Sequence, residues 1–220
     1  RFSDGHACDA DDVVFSFAAY LDERVHSPQR DLLMIAGKPL TVRRIDALTV
    51  AFDLPEPYAA AERLFDSVAI LPRHLLEKAS GDGTLAREWG LATDPSLVAG
   101  LGPFRLARYV PGERIVLERN PYYWKVDARG QQLPYLARLI YIQVPDENAQ
   151  ALRFQAADTD LITRLTADDY DLLAPGQAAG GYRLFDAGPG LEYNFLFFNL
   201  GDAASRGLGE VARKQAWFRQ

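Results

Sequence analysis

A mixed α/β fold, with α+β character, is predicted for this chain, and three observations predict it. Runs such as Thr49-Val-Ala-Phe-Asp-Leu54 alternate apolar and polar residues, the period-two pattern of half-buried strands. Runs such as Val13-Val-Phe-Ser-Phe-Ala-Ala-Tyr-Leu21, opened by acidic residues, carry the pattern of capped helices. The two kinds alternate along 220 residues of which 48% are hydrophobic, enough to build a core that combines them.

Taken in order, the first element is a helix over Val13–Leu21. Asp9 is its expected N-cap, and Asp12 stands three residues on, where a carboxylate suits the positive end of the helix. Leu40-Thr-Val-Arg43 and Thr49–Leu54 read as two strands around an Ile45-Asp46-Ala47 turn, with Pro55 and Pro57 ending the second. Ala59–Val68 reads as helical. Leu71–Lys78 starts another helix with Pro72 in its first turn. Residues 80–96 read as a polar loop rich in Gly and Asp, and the weakest order signals, at 80–100, mark the best candidate boundary. Phe104–Tyr109 and Arg114–Arg119 flank Pro111-Gly112 as a hairpin, which Asn120-Pro121 breaks. Leu139–Val144 reads as a buried strand, Glu147–Ala157 as a helix and Thr159–Ile162 as a short strand. Thr166-Ala-Asp-Asp169 resembles a capping box for a helix through Leu173. Tyr182–Phe185 and Tyr193–Asn199 read as strands separated by Gly188-Pro-Gly190.

Bulk properties exclude several classes. The formal net charge of -6 argues against a nucleic-acid backbone as partner, because that contact needs clustered Lys and Arg. Cys8 is the single cysteine, so no intrachain disulfide and no cysteine metal site can form. No run of about 18 apolar residues exists to cross a membrane as a helix. The chain opens Arg-Phe-Ser-Asp-Gly without Met or signal peptide, and apolar residues are still arriving at Trp217-Phe218, so it reads as an internal piece of a longer protein.

Enzyme templates find no footing. Walker A, nucleophile-elbow and zincin spacings are absent. His6, His26 and His74 read as structural or solvated rather than catalytic. Asp11-Asp12 and Asp168-Asp169 sit at helix starts, where capping accounts for them better than acid/base work. Asp158-Thr-Asp160 lacks the rest of a calcium loop. Neither a metal site nor a cofactor is expected. The aromatic clusters Tyr122-Tyr123-Trp124 and Tyr193–Phe198 suit either a core or a small-molecule cleft, and core packing is the expectation for Trp124. From the residues alone, the reading stops at an α/β domain with candidate ligand-facing aromatics.

Six segments, in order, resemble the dipeptide/oligopeptide/nickel-type solute-binding proteins of ABC importers. They are Phe2-Ser-Asp-Gly5 with Ala10–Ser16; Ile70-Leu-Pro-Arg-His-Leu75; Gly100-Leu-Gly-Pro-Phe104; Leu117–Trp124; Leu133-Pro-Tyr-Leu136 with Pro145-Asp146; and Phe198-Asn199 with Trp217-Phe-Arg219. Departures from the family pattern are Leu101 for Thr or Ser, Ala137 for Asp, and Ala157-Asp158 for Gly-Glu.

The resemblance implies a two-lobed fold of the periplasmic-binding-protein-like type II, with an extra subdomain. Residues 1–98 would be part of that subdomain, 99–190 the return into the first lobe, and 191–220 the crossover towards a second lobe. It implies a binding protein rather than an enzyme, periplasmic or on the cell surface, lipid-anchored in some members, and monomeric. A short peptide, or a related solute such as an oligosaccharide or metal chelate, would be trapped by lobe closure and passed to a membrane permease. Tyr193, Asn194 and Phe195 would face the ligand, with Leu101 and Gly102 near the cleft floor. An α/β hydrolase is the remote alternative.

Overall fold

A computed structural model describes residues 1–66, 68–188 and 195–196. The chain divides into two compact units, Arg1–Asp146 and Glu147–Gln220.

The first unit is organised by helix α1, Ala10–Leu21. Asp9 caps it as the sequence predicts: its side chain accepts from the amides of Asp11 and Asp12, and the Asp12 carboxylate accepts the Asp9 N–H at 3.0 Å. This reciprocal box satisfies amides that the helix itself leaves orphaned. Because α1 is apolar around much of its circumference, it buries two faces. Phe17 packs with Leu33 and Leu40, and Val13, Tyr20, Phe52 and Phe65 close around them. Ala19 packs with Leu76, Ala79 and Leu85. Burial of Phe17, Leu33 and Leu40 contributes roughly 1.5–3 kcal/mol each.

Strands β1 (Met34–Ile35) and β2 (Lys38–Pro39) form a minimal hairpin through Ala36 and Gly37, both at positive φ. Strands β3 (Thr41–Arg44) and β4 (Val50–Asp53) pair antiparallel around the expected turn. Ala59–Val68, expected as a helix, supplies only a 3-10 segment at Ala61–Phe65. Its Leu64 and Phe65 are used as core side chains, and no capping side chain opens it. Helix α2 (Arg73–Gly81) follows Pro72. The expected loop at 80–96 contains helix α3, Leu85–Glu88, because Leu85 is drawn into the α1–α2 core at 5% exposure.

Strands β5 (Phe104–Val110), β6 (Arg114–Arg119) and β7 (Arg138–Ile142) form an antiparallel sheet in that order. Gly112, at φ 72°, makes the β5–β6 turn. The predicted strand at 139–144 is present but not buried. Ile140 and Tyr141 are 51% and 58% exposed, and among the described residues β7 bonds to β6 alone, at the edge of the sheet.

The second unit contains helices α4 (Glu147–Gln155), α5 (Ala167–Leu173) and α6 (Gln177–Gly180). Thr166 caps α5 by accepting the Asp169 amide at 3.1 Å. Tyr182 closes the unit: its hydroxyl donates to Leu173 O at 2.6 Å and its ring meets Phe154 edge-on. Thr159–Ile162 and Tyr182–Phe185, both expected as strands, are irregular backbone. A strand needs a ladder partner, and neither segment has one among the described residues.

Candidate functional site

The first four segments that carry the family resemblance, between Phe2 and Tyr122, are far apart in sequence and are tied to one another in space. Asp12 and Ser16 are one helical turn apart, so they share a face of α1. Ser16 Oγ accepts the Leu71 amide at 2.7 Å and donates to Asp12 O at 2.6 Å. Asp12 Oδ1 accepts the Arg73 amide at 3.1 Å. The start of α2 is therefore read by two buried side chains of α1, and Asp12 serves the N-termini of both helices at once. This is what Asp11-Asp12 does; its carboxylates cap and pair, with Asp11 3.0 Å from Arg44.

The turn Phe2–Gly5 is bound on three sides. The Ser3 amide donates to Gly100 O at 2.9 Å, and Ser3 Oγ accepts the Gly100 amide at 3.2 Å. Asp4 lies 2.7 Å from His74 Nε2, and the His6 ring stacks on His74 with centroids 3.8 Å apart. Burial raises the Asp4 carboxyl, but hydrogen bonds from His74 and the His6 amide outweigh it and hold it below the usual carboxylate range. The histidines predicted as structural at positions 6 and 74 are thus part of this clamp. Gly5 sits at φ 94°, and a Cβ there would lie 3.0 Å from the Tyr122 ring. Both its conformation and its neighbour demand glycine.

Asn120 completes the junction. It is fully buried. Its Nδ2 donates to Gly102 O at 2.8 Å, its Oδ1 accepts the Tyr122 amide at 2.9 Å, and its own amide donates to Pro103 O at 2.9 Å. Asn120-Pro121 reads in the sequence only as a strand breaker. A buried Asn before Pro in an Asx turn is the signal that could have found it.

The predicted site residues are distributed as follows. Leu101 and Gly102 lie half-buried in the turn held by Ser3 and Asn120. Phe195 belongs to the other unit and is 74% exposed. Tyr193 and Asn194 lie outside the described residues. Trp124, expected in a core, is instead 73% exposed, with Lys125 Nζ 5.2 Å from its ring centroid. The loop that bears it is pinned by polar contacts rather than by burial: Gln132 donates to the carbonyls of Pro121 and Tyr123, and the Tyr135 hydroxyl donates to Asp127 at 2.8 Å. The Tyr135 hydroxyl and the amides of Gln131 and Arg129 hold the Asp127 carboxyl low. Among the described residues, no three His, Cys, Asp or Glu side chains converge on a metal position, and no helix is long and apolar enough to cross a membrane. Cys8 is half-buried, and that burial pushes its thiol up, away from the reactive thiolate.

Comparison with known proteins agrees with this arrangement. Residues 1–218 match the family described as bacterial extracellular solute-binding proteins, family 5 Middle. An ABC transporter-binding protein of Deinococcus radiodurans is 30% identical over 217 residues, covering 93% of this chain and 36% of the relative. A periplasmic alpha-galactoside-binding protein of Rhizobium meliloti is 33% identical over 149 residues, 64% of this chain and 22% of the relative. Among solved structures, the oligopeptide-binding protein AppA of Bacillus subtilis, in complex with a nonapeptide, superposes with a TM-score of 0.63 at 29% identity. That superposition covers 78% of this chain and 32% of AppA. The chain thus spans roughly a third or less of the length of these relatives. The periplasmic-binding-protein-like fold that the motifs implied is therefore shared with solved peptide-binding proteins. With four of its signature segments, between Phe2 and Tyr122, joined by buried contacts and its family match running over residues 1–218, the chain belongs to the bacterial extracellular solute-binding proteins of family 5.

Proposed function

We propose that this chain is part of the substrate-binding component of an ABC import system, and that it captures short peptides and delivers them to a membrane permease. The observation that carries this reading is the likeness, over 78% of the chain at 29% identity, to a structure solved with a nonapeptide bound. On this reading residues 1–98 form part of the extra subdomain, 99–190 return into the first lobe, and 191–220 cross towards a second lobe. The protein acts outside the cytoplasm as a monomer, with or without a lipid anchor. It binds rather than catalyses and needs no cofactor.

In this mechanism the ligand stabilises the closed arrangement of two lobes by touching both. Peptide main chain is held through backbone hydrogen bonds, which do not depend on side-chain identity, so sequence tolerance is broad. Leu101 and Gly102 contribute backbone groups at the cleft floor, and Tyr193, Asn194 and Phe195 the aromatic and amide contacts.

A second reading keeps the architecture and exchanges the ligand for an oligosaccharide, and the match to an alpha-galactoside-binding protein favours it. Thermal unfolding of the complete gene product with pools of di- to nonapeptides, oligosaccharides and nickel chelates separates the two. A ligand that binds only the native state raises the melting temperature. A rise with the peptide pool alone is expected. A rise with the sugar pool alone replaces the substrate, and no rise with any pool refutes the receptor reading.

A further inference from the structure

We propose that Asn120 and Ser3 are positioning residues that present the Leu101–Gly102 peptide groups to the ligand main chain; this rests on the cleft-floor placement just proposed. The turn Gly100-Leu-Gly-Pro103 is gripped from both ends. Ser3 takes both polar backbone groups of Gly100, at 2.9 and 3.2 Å. Asn120 takes the carbonyl of Gly102 through Nδ2 at 2.8 Å and the carbonyl of Pro103 through its amide at 2.9 Å. Between these grips, the Leu101 N–H, the Leu101 C=O and the Gly102 N–H have no hydrogen-bond partner among the described residues. Leu101 and Gly102 are only half-buried. Backbone donors and acceptors need partners, and these three half-exposed groups have none within the described protein, so a clamped turn that presents them suits an incoming amide backbone that would shield them from water.

The grip is built for rigidity. Asn120 is fully buried, and its side-chain oxygen is fixed by the Tyr122 amide at 2.9 Å, which leaves Nδ2 a single direction. Ser3 is 4% exposed. Neither residue touches the ligand; each acts through the turn, so that the unpaired groups are oriented before the ligand arrives and little ordering remains to be done on binding.

Asn120→Asp separates this role from a purely architectural one. The substituted carboxylate still accepts the Tyr122 amide, so the Asx turn survives, but it cannot donate to Gly102 O. Once protonated, it donates again. In the complete gene product, the variant at pH 8 is expected to bind the peptide pool about tenfold more weakly, the equivalent of one lost hydrogen bond. Leu101 and Gly102 amide exchange is expected to quicken. Because position 120 is fully buried, which raises a carboxyl above its ordinary value, the affinity of the variant is expected to recover relative to wild type as pH falls to about 5. An architectural residue would lower the melting temperature without that relative recovery. Affinity within twofold of wild type at both pH values overturns the proposal. Leu101→Trp, which blocks the turn, then tells why: if it abolishes binding, the cleft-floor placement stands and Asn120 has no part in it; if it too is silent, the placement itself is wrong. Should Asn120→Asp fail to fold, Ser3→Ala removes only the acceptor for the Gly100 amide. A several-fold weaker affinity is expected from it, and unchanged affinity overturns the proposal.

Discussion

Removing the Ser16 hydroxyl tests how two helices are joined. Ser16 is completely buried, and its Oγ is the acceptor for the Leu71 amide at 2.7 Å. In Ser16→Ala that amide, next to the buried Pro72, loses its partner. An unsatisfied buried donor costs about 1–3 kcal/mol. The gain in helix propensity from Ser to Ala returns up to about 0.5 kcal/mol. The net expected loss is roughly 0.5–2.5 kcal/mol, or about 1–10 °C in melting temperature at 2–4 °C per kcal/mol for a chain of this size. Urea unfolding followed by far-UV circular dichroism reads it as a lower midpoint at unchanged slope. Combining Ser16→Ala with Asp12→Asn is expected to be non-additive by more than about 0.5 kcal/mol, because both side chains hold the same start of α2. A loss below about 0.5 kcal/mol for Ser16→Ala would refute the reasoning, since it would mean that water replaces the hydroxyl.

Three further perturbations follow from local geometry. Ala157 occupies the left-handed position after α4, with Asp158 N bonded to Arg153 O and Ala157 N to Phe154 O, a Schellman cap in which the usual glycine is missing. Ala157→Gly relieves about 1–2 kcal/mol of left-handed strain against about 0.4–1 kcal/mol of added unfolded-state freedom. A gain of about 0.5–1 kcal/mol in urea unfolding is expected. Asp4, Asp22, Asp94 and Asp127 all have carboxyls held below their ordinary value. Depressed carboxyls stabilise the fold above the unfolded-state value and lose that contribution as pH falls through the folded one. The urea midpoint is therefore expected to hold down to about pH 4 and to fall below it. Asp4→Asn is expected to flatten part of that fall. Trp124→Ala is expected to change stability by no more than about 0.5 kcal/mol, because the ring is 73% exposed.

Much of the fold is legible in the sequence where it is written locally. The Asp9–Asp12 box, the Pro111-Gly112 turn and the Thr166 cap depend on residues within four positions of one another, and all three form where the pattern places them. What is not legible depends on distant partners. The apolar run at 139–142 looks like a buried strand, but burial is decided by what covers it, and among the described residues β7 lies at the sheet edge. Leu85 turns a polar stretch into helix α3 because a core formed by α1 and α2 lies beside it. Thr159–Ile162 and Tyr182–Phe185 have strand-like composition without a ladder to join among the described residues. The site shows the same division. The glycine turn at 100–103 is visible as a motif, whereas its tie to Ser3 spans 97 positions and has no local signature. The Asp4–His74 contact, which spans 70 positions, is hidden in the same way.

Calorimetric titration of the complete gene product with the peptide pool, and with the oligosaccharide pool as control, tests the central claim most directly. Saturable binding of peptides at one site, lost in Leu101→Trp, is the expected result. Saturable binding of sugars alone would contradict peptide as the ligand, and no binding by either pool from a folded protein would contradict the receptor account itself.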